Sequence, residues 1–309
     1  MSRINVIPEL QSTIQGKVLY NEPLWKHAYF RIGGVAEILV LPASSQDIIQ
    51  ILQFARKHHL PVHVIGNATK LLVSDDGVPG IVLKISEPFN HLTFMKDHVF
   101  AEAGAALAQI LNQALQHNLT GFEFVTGIPG TIGGAIAMNA GTHQGTMSDV
   151  VTKVTALNRH SGESTIFNNA ECNFGLRQSK FQNKKWIIIN AELELQKGQH
   201  QAIRAHIDAL NTYRCTTQPK EPNAGCIFKN PSGRYAGQII DELGFKGKQI
   251  GDAQVSEIHA NFIINKGQAQ ARHVMSLIKL IREVVKHRYS INLQLELQLL
   301  GFSSNELLL

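Results

Sequence analysis

The side chain with the most direct chemistry in this sequence is Cys226, in the stretch PKEPNAGCIFKNPSG. It follows Gly225 and lies four residues before Asn230, in a segment too rich in Pro, Gly and Asn for a core helix or a central strand, so it reads as a loop thiol. Such a thiol donates a proton or attacks as a nucleophile, according to its pKa and its neighbours. A lone cysteine is more often a small buried hydrophobe; the polar surroundings of Cys226 argue against that. The other two, Cys172 and Cys215, show neither metal-ligand spacing nor a disulfide framework, which suits a reducing compartment and excludes a CxxC redox pair; no metal site is expected.

Glycine marks a second kind of chemistry. GFEFVTGIPGTIGGAIAMNAG carries six glycines between Gly121 and Gly141. Such a density lets backbone amides approach a ligand closely. The step Thr131-Ile132-Gly133-Gly134 into AIAMNA is expected to offer N–H groups to a pyrophosphate. Upstream, Gly66 and Asn67 follow the apolar run LPVHVI, where amides at a strand's carboxyl end could meet phosphate oxygens. Together the two segments suggest a dinucleotide held by two loops. Neither is a GxGxxG opening a helix after a first strand, so the usual nicotinamide fingerprint fails in position and spacing.

The elements that position these residues follow from periodicity. Helices are expected over 45–58, 107–117, 199–213, 236–243 and 269–287, and strands at LPVHVIG, 80–85, 99–103, 186–195, 261–265 and 293–300. A boundary is expected near residue 200. With 309 residues, 44% hydrophobic and 17% charged, the chain can bury two or three compact units. No apolar run approaches the ~20 residues needed to span a bilayer, and MSRINVIPEL lacks the apolar stretch of a signal peptide. The expectation is a cytoplasmic protein without membrane contact. The net charge of +5 and pI near 9.1 are spread along the chain, without the clustered basic stripe of a nucleic-acid binder, and fit an anionic small substrate.

HAYFRIGGVAEILVLP, GNATKLLVSDDG, GIPGTIGGAIAMNAG, FGLRQSKF, PNAGCIFKNP, GKQIGDAQVSEIHANFIIN and LQLELQLLG occur in an order that resembles the UDP-N-acetylenolpyruvoylglucosamine reductase family. The resemblance runs from about Asn21 to Gly301. It implies an α+β protein: an N-terminal segment (1–20), a two-lobed FAD-binding domain of the vanillyl-alcohol-oxidase type (21–198, lobes about 21–85 and 86–198), and a smaller α+β substrate-binding domain (199–309). It also implies noncovalent FAD, NADPH as reductant, UDP-N-acetylglucosamine enolpyruvate as substrate, a role in peptidoglycan precursor synthesis, and a monomer. The FAD contacts it implies are Gly66, Asn67, Ala68, Thr69, Gly127, Ile128, Pro129, Gly130, Thr131, Gly133, Gly134, Ala135, Asn139 and Gly141.

Reduction of an enolpyruvyl ether places hydride on the methylene carbon and develops an enolate at the carboxylate. The resemblance assigns Arg177 of FGLRQSKF to that charge, and a guanidinium fork matches a carboxylate. It assigns Glu296 to a hydrogen bond on the enolic oxygen, and Glu296 stands alone among Leu293, Leu295, Leu297, Leu299 and Leu300. Cys226 takes the place of the family's proton-donating serine. A thiol near pKa ~8.5 is the stronger acid, and Lys229 or Arg177 nearby would favour the thiolate, so activity is expected to fall at alkaline pH. Asn230, Lys229 and His259 are the implied substrate contacts.

The sequence departs from the family at Ala68, Thr69 and Lys70, which replace glycine, serine and asparagine, at Leu176, which replaces tyrosine, and at Thr217 and Gln294. Between Ser179 and Trp186 there is no room for the tyrosine-bearing insertion of some relatives, so this is the form without it. Two other readings stay open: a sugar or alcohol oxidase with FAD tethered through one of fourteen histidines, and a nonenzymatic UDP-sugar binder.

Overall fold

The computed structural model describes residues 7–303; residues 1–6 and 304–309, the ends of the expected first segment and last domain, lie outside the described residues. Contacts gather the described chain into two units, one of residues 7–20, 38–67 and 80–214, the other of residues 21–37, 68–79 and 215–303. This differs from a linear division near residue 200. The helix expected over 199–213 runs His200–Thr217, and Ile203 and Ile207 on its buried stripe join the first unit's core. Conversely, Phe30, Ile32 and Leu72 belong to the second unit's core with residues from far along the chain. No local pattern announces such an exchange.

The first unit is organised by a five-stranded antiparallel sheet, in the order Ser164–Asn168, Val151–Asn158, Trp186–Glu194, His98–Glu102, Leu92–Met95. A four-stranded sheet holds Val62–Ile65 at one edge, paired in parallel with Val78–Lys84. The strand expected to be buried at LPVHVIG is therefore an edge strand: only Ile65 is buried, and Val64 is exposed. Helix Ser45–Lys57 forms as its spacing predicts, with Ile48, Ile51, Leu52 and Ala55 buried on one stripe. The Ser44 hydroxyl accepts from the Asp47 N–H at 3.1 Å and caps its start.

The second unit has a four-stranded antiparallel sheet, Asn223–Cys226, Phe262–Asn265, Ala253–Val255, Gln249–Ile250, covered by helix Ala271–Tyr289. The final strand is shorter than expected. Only Gln298–Leu300 is a strand, pairing in parallel with Leu71–Val73, while Leu295 makes an isolated bridge to Phe228. The α+β class stands. No helix among the described residues is long and apolar enough to cross a membrane.

Asp75 fastens the 68–79 segment within this unit. Its two carboxylate oxygens accept from the N–H groups of Ala271 at 2.7 Å and Arg272 at 3.0 Å, at the start of the long helix, where the amides lack intrahelical partners and the dipole favours an anion. Asp75→Ala is expected to lower the unfolding free energy by about 1 kcal/mol, with Asp75→Asn intermediate, by urea denaturation. Loss of less than about 0.3 kcal/mol would contradict the clamp.

Candidate active site

In the first unit the two glycine segments meet. A Cβ built on Gly66 would lie 2.6 Å from Thr131 Oγ1, and the Asn67 side-chain amide donates to the Pro129 carbonyl at 3.5 Å. Among the described residues the N–H groups of Gly66, Asn67, Gly127 and Gly130 make no hydrogen bond. That is what a backbone cradle for phosphate oxygens requires.

The expectation for the following step is corrected. Ile132 N–H donates to Ala105 O and Gly133 N–H to Ala103 O, both at 2.9 Å. Gly134 N–H faces the capping Thr131 hydroxyl at 3.4 Å, and Ala135 N–H donates to Thr131 O. These amides are already engaged, so the loops, not the start of the short helix Ile132–Ala137, carry the available donors. Gly133 is a packing glycine, since a Cβ there would sit 2.8 Å from that of Ala103. Ile128 packs against the first unit's core. Ala68 and Thr69 fall in the second unit; Ala68 has φ +48, a left-handed backbone that glycine adopts at lower cost.

Arg177 sits in a tight turn whose flanking residues, Gly175 and Gln178, exchange backbone hydrogen bonds of 3.0 and 3.1 Å. Its φ of +53 is left-handed, unfavourable for arginine by ~1 kcal/mol or more. Surrounding bonds impose that conformation. Arg177 Nη2 donates to Gly141 O at 2.9 Å, the buried Asn139 amide donates to Gly175 O at 3.0 Å, and the Ser179 hydroxyl donates to Ala137 O at 2.7 Å. Asn139 Oδ1 also accepts from Ser148 N–H at 2.9 Å, so Asn139 and Gly141 brace the arginine turn.

Cys226 is not in a loop. It ends strand Asn223–Cys226, opposite Phe262, at a sheet edge. The register slips between Asn223 and Cys226 at a bulge, where Gly225 takes φ +71 and its N–H donates to Asn223 Oδ1 at 2.8 Å. Proline and glycine thus mark an irregular strand, and Cys226 is half-buried at its end. Glu296 lies just before the final strand, its side chain 13% exposed, and its N–H donates to Ile227 O at 2.8 Å. Lys70 joins both residues: its ammonium lies 3.0 Å from Glu296 Oε1 and donates to Cys226 O at 2.6 Å. The departure from asparagine at Lys70 is visible in the sequence, but its partners are not.

The remaining expected contacts also lie in the second unit. Lys229 is tied by its N–H to Gln294 O at 2.9 Å. Asn230 Oδ1 accepts from Ala236 N–H at 3.0 Å, engaging that oxygen at the start of helix Ala236–Glu242. His259 is half-buried against the Phe262 ring, and Nδ1 accepts from Asn261 N–H at 3.2 Å. Burial pushes its pKa down, so His259 is neutral at pH 7 and carries its proton on Nε2.

Comparison with known proteins gives the following. Residues 218–300 match the model "UDP-N-acetylenolpyruvoylglucosamine reductase, C-terminal domain", and residues 36–167 match "FAD binding domain". Two reductases so named are each 42% identical: that of Caldanaerobacter subterraneus subsp. tengcongensis, over 93% of this chain and 95% of its own, and that of Moorella thermoacetica, over 95% and 96%. The crystal structure of the Thermus caldophilus UDP-N-acetylenolpyruvylglucosamine reductase superposes with a TM-score of 0.80 at 32% identity, over 93% of this chain and all of that one.

The cysteines separate by environment. Cys172 is wholly buried, its thiol donates to Asn168 O at 3.2 Å, and burial pushes its pKa from 9.0 up to about 11. Between these values the folded state keeps a proton that the unfolded state releases, so this thiol's contribution to stability erodes as pH rises through that window. At pH 8, iodoacetamide is expected to modify exposed Cys215 and leave Cys172 unmodified by peptide mass spectrometry. Rapid labelling of Cys172 in the folded protein would contradict its burial.

Proposed function

Because this chain belongs to the UDP-N-acetylenolpyruvoylglucosamine reductase family, and is an oxidoreductase with an FAD-binding domain, we propose that it reduces UDP-N-acetylglucosamine enolpyruvate to UDP-N-acetylmuramate with NADPH, in peptidoglycan precursor synthesis in the cytoplasm. The first unit's loops at Gly66-Asn67 and Gly127 to Thr131 hold the diphosphate of a noncovalent FAD, with Ala68 and Thr69 continuing the first loop. The C-terminal segment supplies the substrate-binding domain, with Lys229, Asn230 and His259 as substrate contacts.

Two hydrogens add across the enolpyruvyl double bond: a hydride on the methylene carbon and a proton on the carbon bearing the carboxylate, leaving a lactyl ether. FAD, when bound, supplies the hydride chemistry between NADPH and substrate. Arg177 pairs with the substrate carboxylate as negative charge grows there, and a fork held by its turn needs little reorganisation. Glu296, in its protonated form, donates a hydrogen bond to the enolic oxygen. The Cys226 thiol gives its proton to the carbon and is restored from solvent. The observation that carries this reading is that the fold joins Cys226 and Glu296 through one lysine.

The purified protein is expected to be yellow, to release FAD on acid precipitation, and to consume NADPH only when the enolpyruvyl sugar is present. Flavin remaining with the denatured chain, or NADPH oxidation driven by oxygen alone, would favour a tethered oxidase; colourless protein that binds the sugar would favour a binder. Arg177→Lys is expected to lower turnover at least ~10-fold while leaving flavin reduction by NADPH nearly intact, by stopped-flow absorbance. Equal loss in both half-reactions would contradict the role of Arg177.

A further inference from the structure

We propose that Lys70 is a positioning residue for the acid–base pair, its ammonium fixing the carboxyl of Glu296 and the strand end that carries Cys226 in one arrangement. This rests on the reading of Cys226 and Glu296 given above. An ammonium has three donors and no acceptor. Its nitrogen lies 3.0 Å from Glu296 Oε1 as an ion pair and donates a hydrogen bond to Cys226 O at 2.6 Å.

The backbone fixes the lysine as well. Lys70 O accepts from Gln298 N–H at 2.9 Å, ahead of the parallel pairing of Leu71–Val73 with Gln298–Leu300. Glu296 N–H reaches Ile227 O, next to Cys226. Three distant segments thus converge at the Lys70 ammonium. The pair is largely shielded, with 24% of the lysine and 13% of the glutamate side chain exposed, so its partners do not behave as a solvated surface pair.

The test is a double-mutant cycle of Lys70→Met and Glu296→Gln on the full-length flavoprotein, with two readouts. In single-turnover reoxidation of the reduced flavin by the enolpyruvyl sugar, Lys70→Met is expected to be slowed at least ~10-fold, with flavin reduction by NADPH within about two-fold of wild type. In the Glu296→Gln background the same change is expected to cost less than about three-fold. In thermal unfolding, the double variant's midpoint is expected to fall by at least about 2 °C less than the sum of the single shifts. Equal slowing in both backgrounds, or additive midpoints, would overturn the proposal. Should Lys70→Met not accumulate as folded protein, Lys70→Gln runs the same cycle. If wild-type reduced flavin is not reoxidised by the sugar, the proposed function falls and the positioning role with it, whereas failure of the cycle in an active wild type removes only the role of Lys70.

Discussion

The parallel pairing of Leu71–Val73 with Gln298–Leu300 is the constraint on which the second unit's chemistry depends. Closing a loop of that length is entropically unfavourable, and three paired residues do not offset it alone. The pairing persists because Leu72 is buried in the core that also holds Leu293 and Leu297, and because Asp75 holds the N-terminus of helix Ala271–Tyr289. Once the two strands are in register, Lys70 and Glu296 become neighbours, and the bulged strand ending at Cys226 completes the group. Packing sets register, register sets the distances, and the distances define which groups can share a proton or a charge.

The first unit shows the same economy in its amides. A run of glycines before a short helix resembles an anion site, yet the helix-start N–H groups are engaged by Ala103, Ala105 and Thr131. Those bonds fix the preceding loop, and the amides of exposed Gly127 and half-buried Gly130 face no protein acceptor among the described residues. The helix thus supports the loop that precedes it. In the same way Asn139 and Gly141, expected as cofactor contacts, are engaged in bracing Arg177 in a backbone conformation it would not adopt unaided.

Much of this was legible wherever a local pattern was strong. The stripe at Ile48, Ile51, Leu52 and Ala55 and the apolar strand Trp186–Glu194 follow from periodicity, and the two glycine loops stand out by their composition, while their meeting at Gly66 and Thr131 is seen only in the fold. What the sequence hides is non-local. Edge position made Val62–Ile65 half-exposed, and the bulge at Gly225 turned an apparent loop into a strand. The exchange of residues 21–37 and 68–79 into the second unit leaves no mark in composition. Lys70 could be seen to depart from its family's asparagine, but Cys226, 156 residues away, could not be seen as its partner.

Cys226 is proposed to donate the proton that ends the reaction. Rapid single-turnover reoxidation of the reduced flavin by the enolpyruvyl sugar, compared among wild type, Cys226→Ser and Cys226→Ala, tests it most directly. A hydroxyl can serve in the same place, so Cys226→Ser is expected to keep substantial activity, while Cys226→Ala is slowed in this half-reaction and reduced by NADPH at the wild-type rate. Full activity in Cys226→Ala would contradict the account and return this thiol to a packing role.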